Sequence, residues 1–102
     1  MSREPVRILL IGNDRSLIDA RRLLLERAGF AVIEAGTEQD AMLRLQSTVI
    51  RGVVLCSTID HLERQRITGN LRQMQPSLAI MWVSGRESHP ADVVKWAKSQ
   101  ID

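Results

Sequence analysis

Four short apolar runs alternate with longer amphipathic stretches along this chain: VRILLI at 6–11, FAVIEA at 30–35, VVLC at 53–56 and LAIMWV at 78–83. That alternation is the mark of strand–helix–strand units wound into a parallel sheet. The first run is apolar nearly throughout, as strands covered on both faces are. Between the runs, apolar residues recur at helical spacing. Leu17, Ile18, Leu24, Leu25 and Ala28 share one face of a helix expected over 16–28, and Gly29 ends it by taking the left-handed conformation without strain. A second helix opens at Thr37, where Thr37-Glu38-Gln39-Asp40 resembles a capping arrangement, and it buries Ala41, Met42 and Leu45. Residues 59–74 read as a less regular helix, with Ile59, Leu62, Ile67, Leu71 and Met74 unevenly spaced and Gly69 inside. The last helix is expected to start near Pro90, a residue suited to a first helical position, with Val93, Val94, Ala97 and Ile101 as its face. The predicted order is therefore four strands alternating with four helices, without repeat, linker or low-complexity tract.

At 102 residues the chain has room for one domain, expected to span 1–102 or to be the front of a longer chain. No apolar run reaches the roughly 18 residues of a membrane span, and MSREP followed by a short apolar run does not read as a secretory signal. The expected location is the cytoplasm. A single cysteine makes no internal disulfide, which agrees with a reducing compartment. Fourteen basic residues face twelve acidic ones, scattered without a basic block, so the net charge of +2 gives little attraction for nucleic acid.

Right-handed crossovers bring all four strand tips to one edge of such a sheet, where ligands collect. That edge carries Gly12, Asn13 and Asp14 after the first strand, Ala35 and Gly36 after the second, Cys56 and Ser57 after the third, and Ser84 and Gly85 after the fourth. The stretch "RILLIGNDRSLIDARRLLLERAGFAVIEAGTEQDAMLRLQ", residues 7–46, resembles the opening of a CheY-like receiver domain of the two-component response-regulator superfamily. The similarity continues more loosely through GVVLCS and LAIMWVSG to about residue 85. It implies a three-layer, flavodoxin-like α/β fold with strand order 2-1-3-4, and a part in bacterial two-component signal transduction through protein partners.

In that family an acidic pair after strand 1 binds Mg²⁺, an aspartate ending strand 3 accepts a phosphoryl group, a Ser or Thr ending strand 4 contacts it, and a lysine ending strand 5 pairs with the acceptor. Laid along this pattern, Gly12 and Asn13 stand where the acidic pair belongs and Ser57 where the phosphoacceptor belongs; only Ser84 matches. A glycine offers Mg²⁺ no side-chain ligand. Asp14 is the remaining carboxylate of that turn, and capping the following helix is its simpler use. Lys95 and Lys98 lie in the last helix and match no strand-5 motif, and the fifth strand and helix are expected to be absent or truncated. The resemblance is thus to a degenerate receiver: a pseudo-receiver without enzymatic activity, cofactor or metal.

Two other readings stay open. Cys56 or Ser57 is a nucleophile if the fold builds a base beside it, although an apolar strand predicts a buried, inert thiol, and neither His61 nor His89 is spaced to serve Ser57. Alternatively, the Gly12-Asn13 turn and the helix start after it hold a small anion through backbone N–H groups. Without a fifth strand, LAIMWV becomes a sheet edge with neither proline nor charge to blunt it, which invites pairing. The expected consequence is that the last helix folds across this edge, or that the chain associates, as a homodimer through strand 4 or the last helix or with another protein. Trp82 and Trp96 are the candidate anchors, their other use being ordinary core packing.

Overall fold

The described residues of the computed structural model, 5–56, 61–83 and 89–101, follow the alternation of the apolar runs. The elements are β1 (Arg7–Ile11), α1 (Arg15–Arg27), β2 (Ala31–Ala35), α2 (Glu38–Ser47), β3 (Gly52–Leu55), α3 (His61–Met74), β4 (Ala79–Trp82) and α4 (Asp92–Gln100). All strand pairs are parallel and the sheet order is β2-β1-β3-β4. This is the flavodoxin-like receiver topology.

Because successive strand residues point to opposite faces, the two central strands feed two separate cores. Ile8, Leu10, Val54 and Cys56 face α1 and α4, meeting Ile18, Leu25, Val93 and Ala97. Leu9, Ile11, Val53 and Leu55 face α2 and α3, meeting Ala41, Ile67 and Leu71. Ile8, Leu9, Leu10, Val53 and Val54 are fully buried, each contributing about 1.5–3 kcal/mol of burial free energy. The caps agree with the sequence. Thr37 Oγ1 accepts from the Asp40 N–H at 3.1 Å, and Gly29 follows α1 with φ +99°.

Two expectations shift. Leu62 points outward, 77% exposed, because the inward face of α3 is set by Ile67 and Leu71. Ile59, expected on the same helix, lies outside the described residues. The last helix begins at Asp92 rather than Pro90. Pro90 sits in the turn before it, where its carbonyl accepts from Val93 N–H at 3.3 Å, and Ala91 provides no side-chain cap.

The side of the sheet chosen by α4 is decisive for the topology. A right-handed crossover from β4 to a strand beyond it puts the connecting helix on the α2–α3 face, as it does for α2 and α3. Instead α4 lies beside α1 on the opposite face. It adds to the α1 layer, so that among the described residues each face of the sheet carries two helices. Gly52 makes the seat: a Cβ there would stand 3.0 Å from Trp96 Cη2 and overlap Ile101 Cδ1.

Candidate functional site

The tips of β1, β2 and β3 converge as the fold requires, and at Gly12 backbone meets backbone. Gly12 continues from β1 with φ +154° and donates its N–H to Ala35 O at 3.0 Å. On the other side, Cys56 N–H donates to Ile11 O at 2.6 Å. A Cβ on Gly12 would overlap the Cys56 carbonyl oxygen and lie 2.8 Å from its carbonyl carbon. Both the positive φ and this contact demand glycine. The first position of the acidic pair thus has neither a side chain nor room for one.

Asn13 is exposed, and Asp14 is occupied by the helix it precedes. Its carboxylate accepts from Ser16 Oγ at 2.9 Å and from Leu17 N–H at 3.3 Å, as an N-cap does. The Ser16 hydroxyl, then the Leu17 N–H, hold the Asp14 carboxyl below its ordinary range. Ser57 and Ser84 lie outside the described residues. Gly12, Asn13 and Asp14 do not fit Mg²⁺: one offers nothing, one is a neutral amide, and the carboxylate is turned to the helix. No group of three or more metal-ligating side chains forms among the described residues.

Cys56 is fully buried in the α1–α4 core, with Sγ 3.8 Å from Val54 O. Burial pushes its thiol up to about 12, with Arg21 pulling weakly the other way. Such a group is a thiol at neutral pH and a poor nucleophile. His89 Nδ1 accepts from Ala91 N–H at 3.1 Å ahead of α4.

Arg21 is the residue that sequence reasoning missed. It is the buried charged residue of the described structure, 2% exposed, with Nη1 donating to Leu17 O at 3.2 Å. The signal was present, since position 21 falls between Ile18 and Leu25 on the apolar stripe of α1, where a charge is out of pattern. Its positive field acts on both Asp14 and Cys56.

Beside Gly12 and Asn13 opens a cleft of about 160 Å³ that runs past Gly36 to Glu38, Glu63 and Ile67. Its carboxylates are already engaged. Arg66 Nη1 lies 2.9 Å from Glu38 Oε1 and also bridges to Glu63, and Asn70 Nδ2 donates to Glu38 Oε2 at 2.7 Å. Arg66 balances one of these two carboxylates, and the negative charge left on the wall opposes an anion at the neighbouring turn. On the outer side of β2, Arg15 and Arg22 both pair with Glu34, and the Arg15 hydrogen bond leads in holding its carboxyl low.

The two tryptophans fall on opposite faces of the sheet. Trp96 rests on Gly52 within the α1–α4 layer. Trp82 packs toward α3, where the Arg64 guanidinium lies 5.6 Å from its ring centroid. Its Nε1 is buried without a hydrogen-bond partner among the described residues.

No family model and no curated protein matches the chain. Solved structures do. A response regulator receiver protein from Sinorhizobium medicae WSM419 superposes with a TM-score of 0.72 over 95% of this chain and 94% of its own, at 21% identity. The chain has the receiver fold. A chain of the complex between histidine kinase ThkA and response regulator protein TrrA carries the receiver fold's likeness at TM-score 0.65 and 15% identity, over 86% of this chain and 79% of that one. A de novo designed Rossmann 2x2 protein also matches, at TM-score 0.62 and 21% identity over 94% and 86%. At these identities the likeness is one of fold, and a fold by itself does not fix the chemistry.

Proposed function

We propose that this receiver-fold chain, taken over residues 1–102 as one receiver-like unit, is a pseudo-receiver: a non-phosphorylatable, non-enzymatic module of signal transduction that acts in the cytoplasm through protein contacts. The observation that carries the reading is the Gly12–Cys56 contact. A receiver that had merely exchanged aspartate for glycine would keep an empty ligand position, whereas here the tip of β3 stands where that side chain would begin. Asp14 supports the same reading by spending its carboxylate on the α1 cap. The buried thiol with its pKa near 12 weighs against a cysteine switch, and Glu38 and Glu63 weigh against an anion at the Gly12-Asn13 turn. No helix of the described residues is long and apolar enough to cross a membrane. The complex of ThkA with TrrA gives precedent for a partner protein at this fold.

The test is incubation of the folded protein with acetyl phosphate and Mg²⁺, followed by intact mass. The expected outcome is an unmodified chain. A stable phosphoryl adduct on any aspartate would overturn the proposal.

A further inference from the structure

We infer that β4 pairs with β4 of a second copy, antiparallel about a two-fold axis through Met81. The inference names the partner of the interaction module proposed above and rests on that reading. It starts from the alternation of backbone groups along a strand. Ala79 N–H donates to Arg51 O at 3.3 Å and Val83 N–H to Leu55 O at 2.9 Å, so residues 79, 81 and 83 turn their main-chain groups toward β3. Ile80 and Trp82 therefore turn theirs outward. Since β4 ends the sheet order, no strand among the described residues meets them. Each copy presents two donors and two acceptors.

A two-fold axis at Met81 places Ile80 opposite Trp82 of the second copy, and Trp82 opposite its Ile80. In an antiparallel pair, residues so opposed exchange both of their N–H···O bonds. Four bonds form, and every outward donor and acceptor of both copies is used. That self-complementarity favours a second copy, because the contact is isologous and closes on itself.

Side chains agree with the register. Ile80 and Trp82 lie on the α3 face, where each would meet the other across the strand pair as an aromatic–aliphatic contact. Met81 lies on the α4 face and would meet its own symmetry mate. The segment has no proline, charge or bulge to block an approaching strand. The other candidate surface, the last helix, offers no comparable face. Of its apolar residues Val93 and Ala97 are buried in the core and Val94 and Trp96 are half-buried against it, while Asp92, Lys95, Lys98, Ser99 and Gln100 point outward.

The experiment compares sedimentation with amide hydrogen exchange over a dilution series. Wild type is expected to be dimeric at high concentration, with protection at the Ile80 and Trp82 amides rising at least about tenfold from dilute to concentrated sample, and Met81 protected throughout. Ile80→Pro removes an outward N–H and no bond to β3, so it is expected to stay folded by circular dichroism and to sediment as a monomer. Should that variant unfold, the wild-type exchange pattern still decides. A monomer at every concentration, or a dimer whose Ile80 and Trp82 amides exchange freely, overturns the pairing. Neither result touches the pseudo-receiver reading, which the phosphodonor test judges separately.

Discussion

Gly12 and Cys56 meet across the β1–β3 seam, where the contact with the Cys56 main chain constrains Gly12 and burial sets the chemistry of the Cys56 thiol. The sequence was enough to see that Gly12 cannot ligate a metal. Its positive φ and its close approach to the Cys56 carbonyl were out of reach, since both depend on how closely two strand tips approach. Cys56 was legible as a core thiol from its apolar run, and its burial gives a signed pH dependence. The folded thiol ionises near 12 instead of 9.0. Stability is therefore undiminished below about pH 9 and falls as pH rises from there toward 12, because only the unfolded chain gives up the proton freely. The loss attributable to Cys56 is expected to be on the order of a few kcal/mol across that window. Urea melts of wild type and Cys56→Ala between pH 8 and 11 check it. The wild type should show the steeper decline, and parallel declines would contradict the assignment. Arg21 marks the opposite case, a residue overlooked because helical periodicity was read for apolar residues and not for the charge that interrupts them.

Element by element, the strands and the first two helices followed from apolar runs and capping residues, because those signals are local. Two features were not local. Leu62 satisfies helical spacing but faces water, since an uneven pattern admits more than one inward stripe and Ile67 and Leu71 decide which is buried. The side on which α4 packs was equally unreadable: an amphipathic helix declares that it has an apolar face, not which layer will receive it. Gly52 holds the answer as a notch beneath Trp96 and Ile101. Gly52→Val is expected to lift α4, costing about 1–3 kcal/mol. Amide exchange should then show Val93–Ala97 losing protection first, with α2 and α3 retaining theirs. An unchanged urea midpoint, or uniform loss across both faces, would show that the notch does not seat the helix.

For the molecule as a whole, α4 beside α1 and α2 beside α3 make a sheet with two helices on each face and β4 at its edge. The resemblance over residues 7–46 led to this fold, while the missing aspartates could be read only as absent side chains. The structure adds that at Gly12 the Cys56 carbonyl stands where a side chain would begin. On the proposed reading the receiver fold is kept without a phosphorylation site, and the account rests on that separation. The most direct test is an amide NMR titration of the folded protein with Mg²⁺ and beryllofluoride, the latter a mimic of a phosphoryl group on aspartate. The account predicts that the amides of Gly12, Asn13, Asp14 and Cys56 stay in place at millimolar additions. Concerted, saturable shifts of those four amides would contradict it and restore a working phosphorylation pocket.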